Sequence, residues 1–113
     1  MIYMSSYSKN EIILIKYPFT SLTTYKIRPA IVVSDEHPSR DIIIVPLTSN
    51  LQNLQPGEFI LSNWQKAGLN VPSTIKRGII TVEDTLVIKT VGNLDKSDIT
   101  LLEKSLKFWL GII

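Results

Sequence analysis

Three short, dense runs of β-branched residues restrict this chain more than anything else in it. EIILIKY at 11–17, AIVVS at 30–34 and DIIIV at 41–45 each hold four consecutive apolar residues, mostly Ile and Val. Such side chains fit a pleated strand better than a helix, and the runs are shorter than the ten or so residues that a packed helix needs. Unbroken rather than alternating apolarity predicts strands buried on both faces, or the walls of a barrel. Further short apolar pieces lie at 58–61, 74–76, 78–82 and 86–91, with turn residues between them, as in a small barrel or sandwich. The chain has 113 residues, one domain's worth, and at 44% hydrophobic and 19% charged residues it can bury a core. The expectation is a single mainly-β (α+β) domain over 1–113, with 1–9 a loose N-terminal extension.

Two helices are predicted to interrupt the strands. Ser62-Asn63-Trp64-Gln65 has the form of a capping box, with Ser62 as N-cap, and Gly68 ends that short internal helix. The second is a C-terminal amphipathic helix. Asp95 is a good N-cap, and Asp98 places charge in the first turn where the helix dipole favours it. Ile99, Leu102, Leu106, Trp109 and Ile113 fall on one face at helical spacing, which makes Trp109 a core anchor.

Several kinds of chemistry are excluded or disfavoured. There are no cysteines, so a disulfide framework, a cysteine zinc site and a thiol nucleophile are out. A small domain without disulfides points to a reducing, cytoplasmic setting. The first ten residues, MIYMSSYSKN, lack the apolar stretch of a signal peptide, and no apolar run approaches the ~20 residues of a membrane span. No phosphate-cradling glycine motif and no nucleophile elbow is present. The single histidine, His37, stands in DEHPS. Adjacent Asp35, Glu36 and His37 rarely converge on one ion, so a solvated loop is the plainer reading and no metal or other cofactor is expected. Net charge is only +2, but residues 1–34 hold Lys9, Lys16, Lys26 and Arg28 against Glu11 alone. That is either a basic face for a polyanion or ordinary solvated charge.

What remains is an arginine and a hydroxyl. Arg28 precedes Pro29, which biases it to extended geometry at the start of the second strand. A guanidinium stays charged and matches phosphate oxygens bidentately. Thr48 stands where the third strand ends. If the second and third strands pair antiparallel, the two residues meet at one rim. By spacing alone, Arg28 is equally a surface residue and Thr48 a turn residue. The segment 19–27, FTSLTTYKI, is long for a strand connection and is polar, aromatic and basic, as a binding loop would be.

Taken in order, EIILIKYPFT at 11–20, RPAIVVS at 28–34, IVPLTS at 44–49 and VGNL at 91–94 before the amphipathic helix resemble the MazF/PemK (Kid) family of toxins. The likeness runs over roughly 10–111. Each short element is weak alone, but the order and spacing are fairly specific. The resemblance implies an SH3-like β-barrel, usually a homodimer, that cleaves single-stranded RNA at short sequences and is neutralised by a cognate antitoxin. It implies catalytic roles for Arg28 and Thr48. The mechanism implied is attack of the RNA 2′-OH on the adjacent phosphorus, leaving 2′,3′-cyclic phosphate and 5′-OH ends without a metal. RNA contacts are then expected from Phe19, Thr20, Tyr25 and Lys26 of the loop, from Ser49, and from Lys76 and Arg77. An acidic antitoxin tail is expected to cover the loop and the Arg28 rim. The sequence departs from the family at one point: some members carry a basic residue followed by an aspartate near 76–78, and here Gly78 stands where the aspartate would be. That departure keeps a second class open, a non-enzymatic binding module on the same fold, either a topoisomerase inhibitor like the CcdB-like relatives or an inactive RNA-binding remnant.

Overall fold

The three Ile/Val runs become three adjacent strands at the centre of one antiparallel sheet. The computed structural model describes residues 7–17 and 25–112. Within these, β1 (Glu11–Tyr17), β2 (Lys26–Val32), β3 (Asp41–Thr48), β4 (Phe59–Ile60), β5 (Thr74–Ile75), β6 (Ile80–Glu83) and β7 (Val87–Asn93) precede α1 (Lys96–Leu110). A 3₁₀ turn at Asp84–Leu86 leads into β7. The sheet runs β4-β5-β3-β2-β1-β7, with β6 also paired to β3. It is open: β4 and β7 stand at its two ends, and the barrel expected from the resemblance is not closed among the described residues.

Both faces of the central strands are buried, which settles why the runs do not alternate. Ile12, Ile31, Val45 and Leu47 enter one apolar cluster with Ile75, Leu94 and Leu102. Their neighbours Ile13, Ile15, Ala30, Val32, Ile42 and Ile44 enter a second with Val82. Burial of each such Ile contributes on the order of 1.5–3 kcal/mol. Helix α1 covers the first cluster: Leu102 is buried, and Ile99, Leu106 and Trp109 pack on it half-buried, as their spacing predicted. Asp95 caps the helix by accepting from Ser97 N, and Gly111 ends it in the left-handed region at φ 68°. Ile113 lies outside the described residues. Of the extension expected over 1–9, residues 1–6 also lie outside them, while Tyr7 packs against the second cluster.

The segment 62–68 differs from its prediction. It forms consecutive turns closed by Ala67 N→Asn63 O and Gly68 N→Gln65 O, each 3.1 Å, rather than a regular helix. One and a half turns is too short to offset the cost of helix nucleation. The Ser62 hydroxyl does not cap this segment. It donates to Asp98 Oδ1 at 2.9 Å, and the buried Asp98 carboxylate also accepts from Ser62 N and Asn63 N. The cap comes from α1 instead of from the local sequence. Gly68 does end the segment, at φ +92°.

Two strands are longer than the apolar runs that seed them. β2 begins at Lys26 because β1 pairs with it from Ile12↔Ile31 through to Tyr17↔Lys26. β3 continues through Pro46 to Thr48. The carbonyl of Pro46 accepts from Lys76 N at 3.0 Å, so its missing N–H points the same way, away from β2. On that side β6 pairs Asp41 to Ile44 and β5 pairs Leu47 and Thr48. Pro46 occupies the gap between the two partners, where no ladder donor is required.

Candidate functional site

Where β2 begins and β3 ends, the sheet carries a groove of about 500 Å³. Arg28 and Pro29 of β2, Thr48 at the end of β3 and Ser49 just after it line the groove, and Lys89 and Thr90 line it from β7. Leu69, Asn70 and Val71, just after the turn segment, form its remaining wall. β2 and β3 pair antiparallel up to Ala30↔Pro46, and just beyond the end of that ladder Arg28 and Thr48 both line the groove. The antiparallel pairing assumed from the sequence therefore brings these two residues to one rim.

The groove is electropositive by composition. Arg28 and Lys89 line it, and among the described residues none of its lining is acidic. Arg28 is half-buried, and neither it nor Lys89 makes an ion pair among the described residues. A partly desolvated guanidinium with no carboxylate beside it is left to an external anion. The Thr48 hydroxyl oxygen accepts from Asn50 N at 3.2 Å. That bond holds the oxygen at the strand end and leaves its O–H able to donate.

The other residues singled out in the sequence are dispersed. Ser49 joins Arg28 and Thr48. Tyr25 and Lys26 are exposed beside the start of β2, and Lys16 Nζ lies 4.8 Å from the Tyr25 ring centroid. Phe19 and Thr20 lie outside the described residues. Lys76 and Arg77 do not line the groove. The Lys76 ammonium is paired with Glu58 Oε1 at 2.7 Å, and Arg77 N donates to Glu58 Oε2 at 3.0 Å. Arg77 belongs instead to a separate hollow with Gln55, Phe108 and Trp109. Burial raises the Glu58 carboxyl, but the Lys76 ammonium and the backbone N–H groups of Arg77 and Gln55 outweigh it and hold the carboxyl below its ordinary value. His37 is exposed, with Nδ1 2.8 Å from Ser39 Oγ, and is not part of the groove. No cluster of three metal-ligating side chains occurs among the described residues.

Gly78 is fixed by packing. A Cβ there would stand 2.8 Å from Pro46 Cγ and 3.2 Å from Pro46 Cδ. Any larger residue, aspartate included, would have to displace a buried proline in β3. Sequence reasoning missed Lys89, Asn70 and Thr90. The signal that was present is charge alone: Lys89 is the one cation in the apolar segment 86–91.

Comparison with known proteins bears on the fold and the family. The family model for the PemK-like, MazF-like toxin of type II toxin–antitoxin systems matches residues 8–110. Among solved structures, a mycobacterial endoribonuclease in complex with its cognate antitoxin superposes with TM-score 0.75 at 12% identity, covering 96% of this chain and 98% of that one. The MazE–MazF structure from Deinococcus radiodurans gives 0.75 at 15% identity, covering 95% and 98%. Toxin MazF-mt6 of Mycobacterium tuberculosis gives 0.68 at 20% identity, covering 89% and 97%. Among curated proteins none is similar enough to match. The structural likenesses show the same fold, and with the family match over nearly the whole chain they place this protein among the PemK-like, MazF-like toxins of type II toxin–antitoxin systems.

Proposed function

We propose that this protein is an endoribonuclease toxin that cleaves single-stranded RNA without a metal. One observation carries the reading: a half-buried Arg28, with no ion pair among the described residues, lines the same groove as Thr48, and the described lining holds cations and no acid. RNA supplies its own nucleophile. The 2′-oxygen attacks the adjacent phosphorus as its proton leaves, the P–O5′ bond breaks, and the 5′-oxygen takes up a proton. The products are a 2′,3′-cyclic phosphate and a 5′-OH. Charge accumulates on the non-bridging phosphoryl oxygens, and Arg28 donates to them there, where it counts most for rate. Thr48 donates to the same phosphate and orients it. Among the described residues the groove lining offers neither carboxylate nor histidine, the usual ligands of a catalytic divalent cation, which favours the metal-free route.

The partner surface follows from the same charge. A type II antitoxin that blocks this groove is expected to do so with a flexible acidic segment, which orders as it binds over Arg28 and the residues before it. The working unit is a two-fold homodimer. Among the described residues no helix is long and apolar enough to cross a membrane.

The test is incubation of the purified protein with long single-stranded RNA in EDTA, with the new ends mapped. New 5′-OH ends that disappear with Arg28→Ala support the reading. RNA that binds the groove but stays intact would favour the inactive remnant, for which Gly78 and its packing on Pro46 speak. Cleavage only after a divalent cation is returned would refute the metal-free route.

A further inference from the structure

A buried hydroxyl without a partner costs free energy, and folded proteins keep few of them. Thr74 carries such a group. It is fully buried in β5, and its Oγ1 has no hydrogen-bond partner among the described residues. The neighbouring Ser73 is buried as well, but its hydroxyl donates to Val71 O at 3.0 Å. The missing partner is therefore particular to residue 74.

The strand ladder shows what stands beside it. β5 lies between β3 and β4, and Thr74 pairs with Thr48 on one side and with Ile60 on the other. Directly paired residues project to the same face of a sheet, with Cβ atoms roughly 4.5–5.5 Å apart. Ile60 offers no polar side-chain atom. The Glu58 carboxylate, two residues before Ile60, already accepts from Lys76 Nζ, Gln55 N and Arg77 N. Thr48 has capacity left. A hydroxyl oxygen can accept twice and donate once, and Thr48 Oγ1 accepts from Asn50 N.

We propose that Thr74 is a positioning residue for Thr48: its O–H donates to the second lone pair of Thr48 Oγ1 while the Thr48 O–H donates to the RNA phosphate. This rests on the reading of Thr48 as the hydroxyl that meets that phosphate. Threonine pairs form such bonds across antiparallel strands. Here the bond closes by rotation about χ1, which exchanges a hydroxyl for a methyl of similar size. Every site on the Thr48 hydroxyl is then used, with Asn50 N and Thr74 holding the oxygen and the proton directed at the phosphate. Hydrogen bonds in series polarise one another, so Thr48 becomes a better donor. Thr74 is fully buried and touches no RNA, so it acts on rate through Thr48 and leaves affinity alone.

The experiment measures kcat and KM on a single-stranded RNA spanning one mapped cut, Tm by calorimetry, and binding of the same RNA in 2′-O-methyl form, which cannot be cleaved. Thr74→Val is expected to lower kcat about three- to tenfold, the weight of one hydrogen bond. KM and 2′-O-methyl RNA binding should stay at wild-type values, and Tm should hold or rise, because no bonded partner is lost. Thr74→Ser, which keeps the hydroxyl, should keep most of kcat. In a Thr48→Ala background Thr74→Val should cost nothing further, since the group it positions is gone. A wild-type kcat in Thr74→Val beside an impaired Thr48→Ala would overturn the Thr74 assignment alone. So would an equal loss in Thr74→Ser, or a loss that persists in the Thr48→Ala background or comes with a lowered Tm, each of which marks a packing role. If Thr48→Ala cleaves like the wild type, or the wild type does not cleave, the reading of the site fails and this proposal falls with it.

Discussion

Glu58→Ala should destabilise the protein sharply while leaving its affinity for RNA intact. The Glu58 side chain is 4% exposed and accepts from Lys76 Nζ at 2.7 Å, Gln55 N at 2.8 Å and Arg77 N at 3.0 Å. These bonds tie the loop 50–57 and the start of β4 to the residues after β5. Truncating one partner of a buried ion pair costs ~3–5 kcal/mol, and a hydrogen bond to a charged group contributes ~1.5–3. The Lys76 side chain is 35% exposed and can return to water, so the lower part of these ranges applies, about 2–3 kcal/mol. At ~4–8 °C per kcal/mol for a domain near this size, Tm should fall by roughly 10–20 °C. Lys76→Met should cost less, and the double variant less than the sum, because the two share one interaction. The pH dependence has a definite sign. The Glu58 carboxyl sits below its ordinary value of 4.5 in the folded protein. Its stabilisation is complete above that value and is lost as pH falls through the lower folded value, so the wild type and Glu58→Ala should converge in acid. Calorimetry across pH, with salt-dependent RNA binding of Lys76→Met, checks both halves. A Tm for Glu58→Ala within a few degrees of wild type would refute the energetics. A reduced salt slope in Lys76→Met would show that Lys76 leaves Glu58 to face RNA, as the resemblance suggested.

Three other outcomes are expected. Arg28→Ala should cut cleavage by about 10²–10³ with little change in Tm, since the side chain sits at a rim and strands no ion-pair partner, and Arg28→Lys should restore only part of the rate; single-turnover kinetics and calorimetry measure the two effects. Thr48→Ala should be severely impaired in the same assay, whereas Thr48→Ser, which keeps a hydroxyl able to accept from Asn50 N, should retain partial activity. Gly78→Ala should lower stability by about 1–3 kcal/mol, because its Cβ would stand 2.8 Å from Pro46 Cγ, and a wild-type melting curve would contradict that packing.

What the sequence discloses and what it hides follow from range. The centre of the sheet is legible because Ile12 to Ile15, Ala30 to Val32 and Ile42 to Val45 are mostly buried whichever way they face, so their signal needs no partner to interpret. The proximity of Arg28 and Thr48 is legible because neighbouring antiparallel strands bring the start of one to the end of the next. Lys89 is not legible in this way. Its place in the groove lining depends on β7 returning to pair with β1, more than seventy residues earlier, and the segment 86–91 carries no mark of that choice. The turn residues Leu69 to Val71 enter the groove wall without any periodic pattern. The Lys76–Glu58 pair is hidden for a related reason. From the sequence Lys76 is a free cation beside Arg77, and only the pairing of β4 with β5 brings Glu58 to it. The capping box at Ser62 misleads because a buried Asp98, 36 residues on, competes for the same donors and wins.

One proline links the fold to the chemistry of the groove. Because Pro46 has no N–H to offer, β3 changes partner there, from β6 on one side of it to β5 on the other. The link between those partners passes over the proline ring, and Gly78 is the residue that meets it. An aspartate at that position needs space that Pro46 already fills. The packing that lets β3 run on to present Thr48 therefore also keeps a carboxylate from Gly78's position. With no acid in the groove lining, Arg28 and Lys89 remain uncompensated. On the proposed reading, acceptance of a proton from the 2′-OH falls to a group other than residue 78, and Arg28 and Thr48 act through charge and orientation.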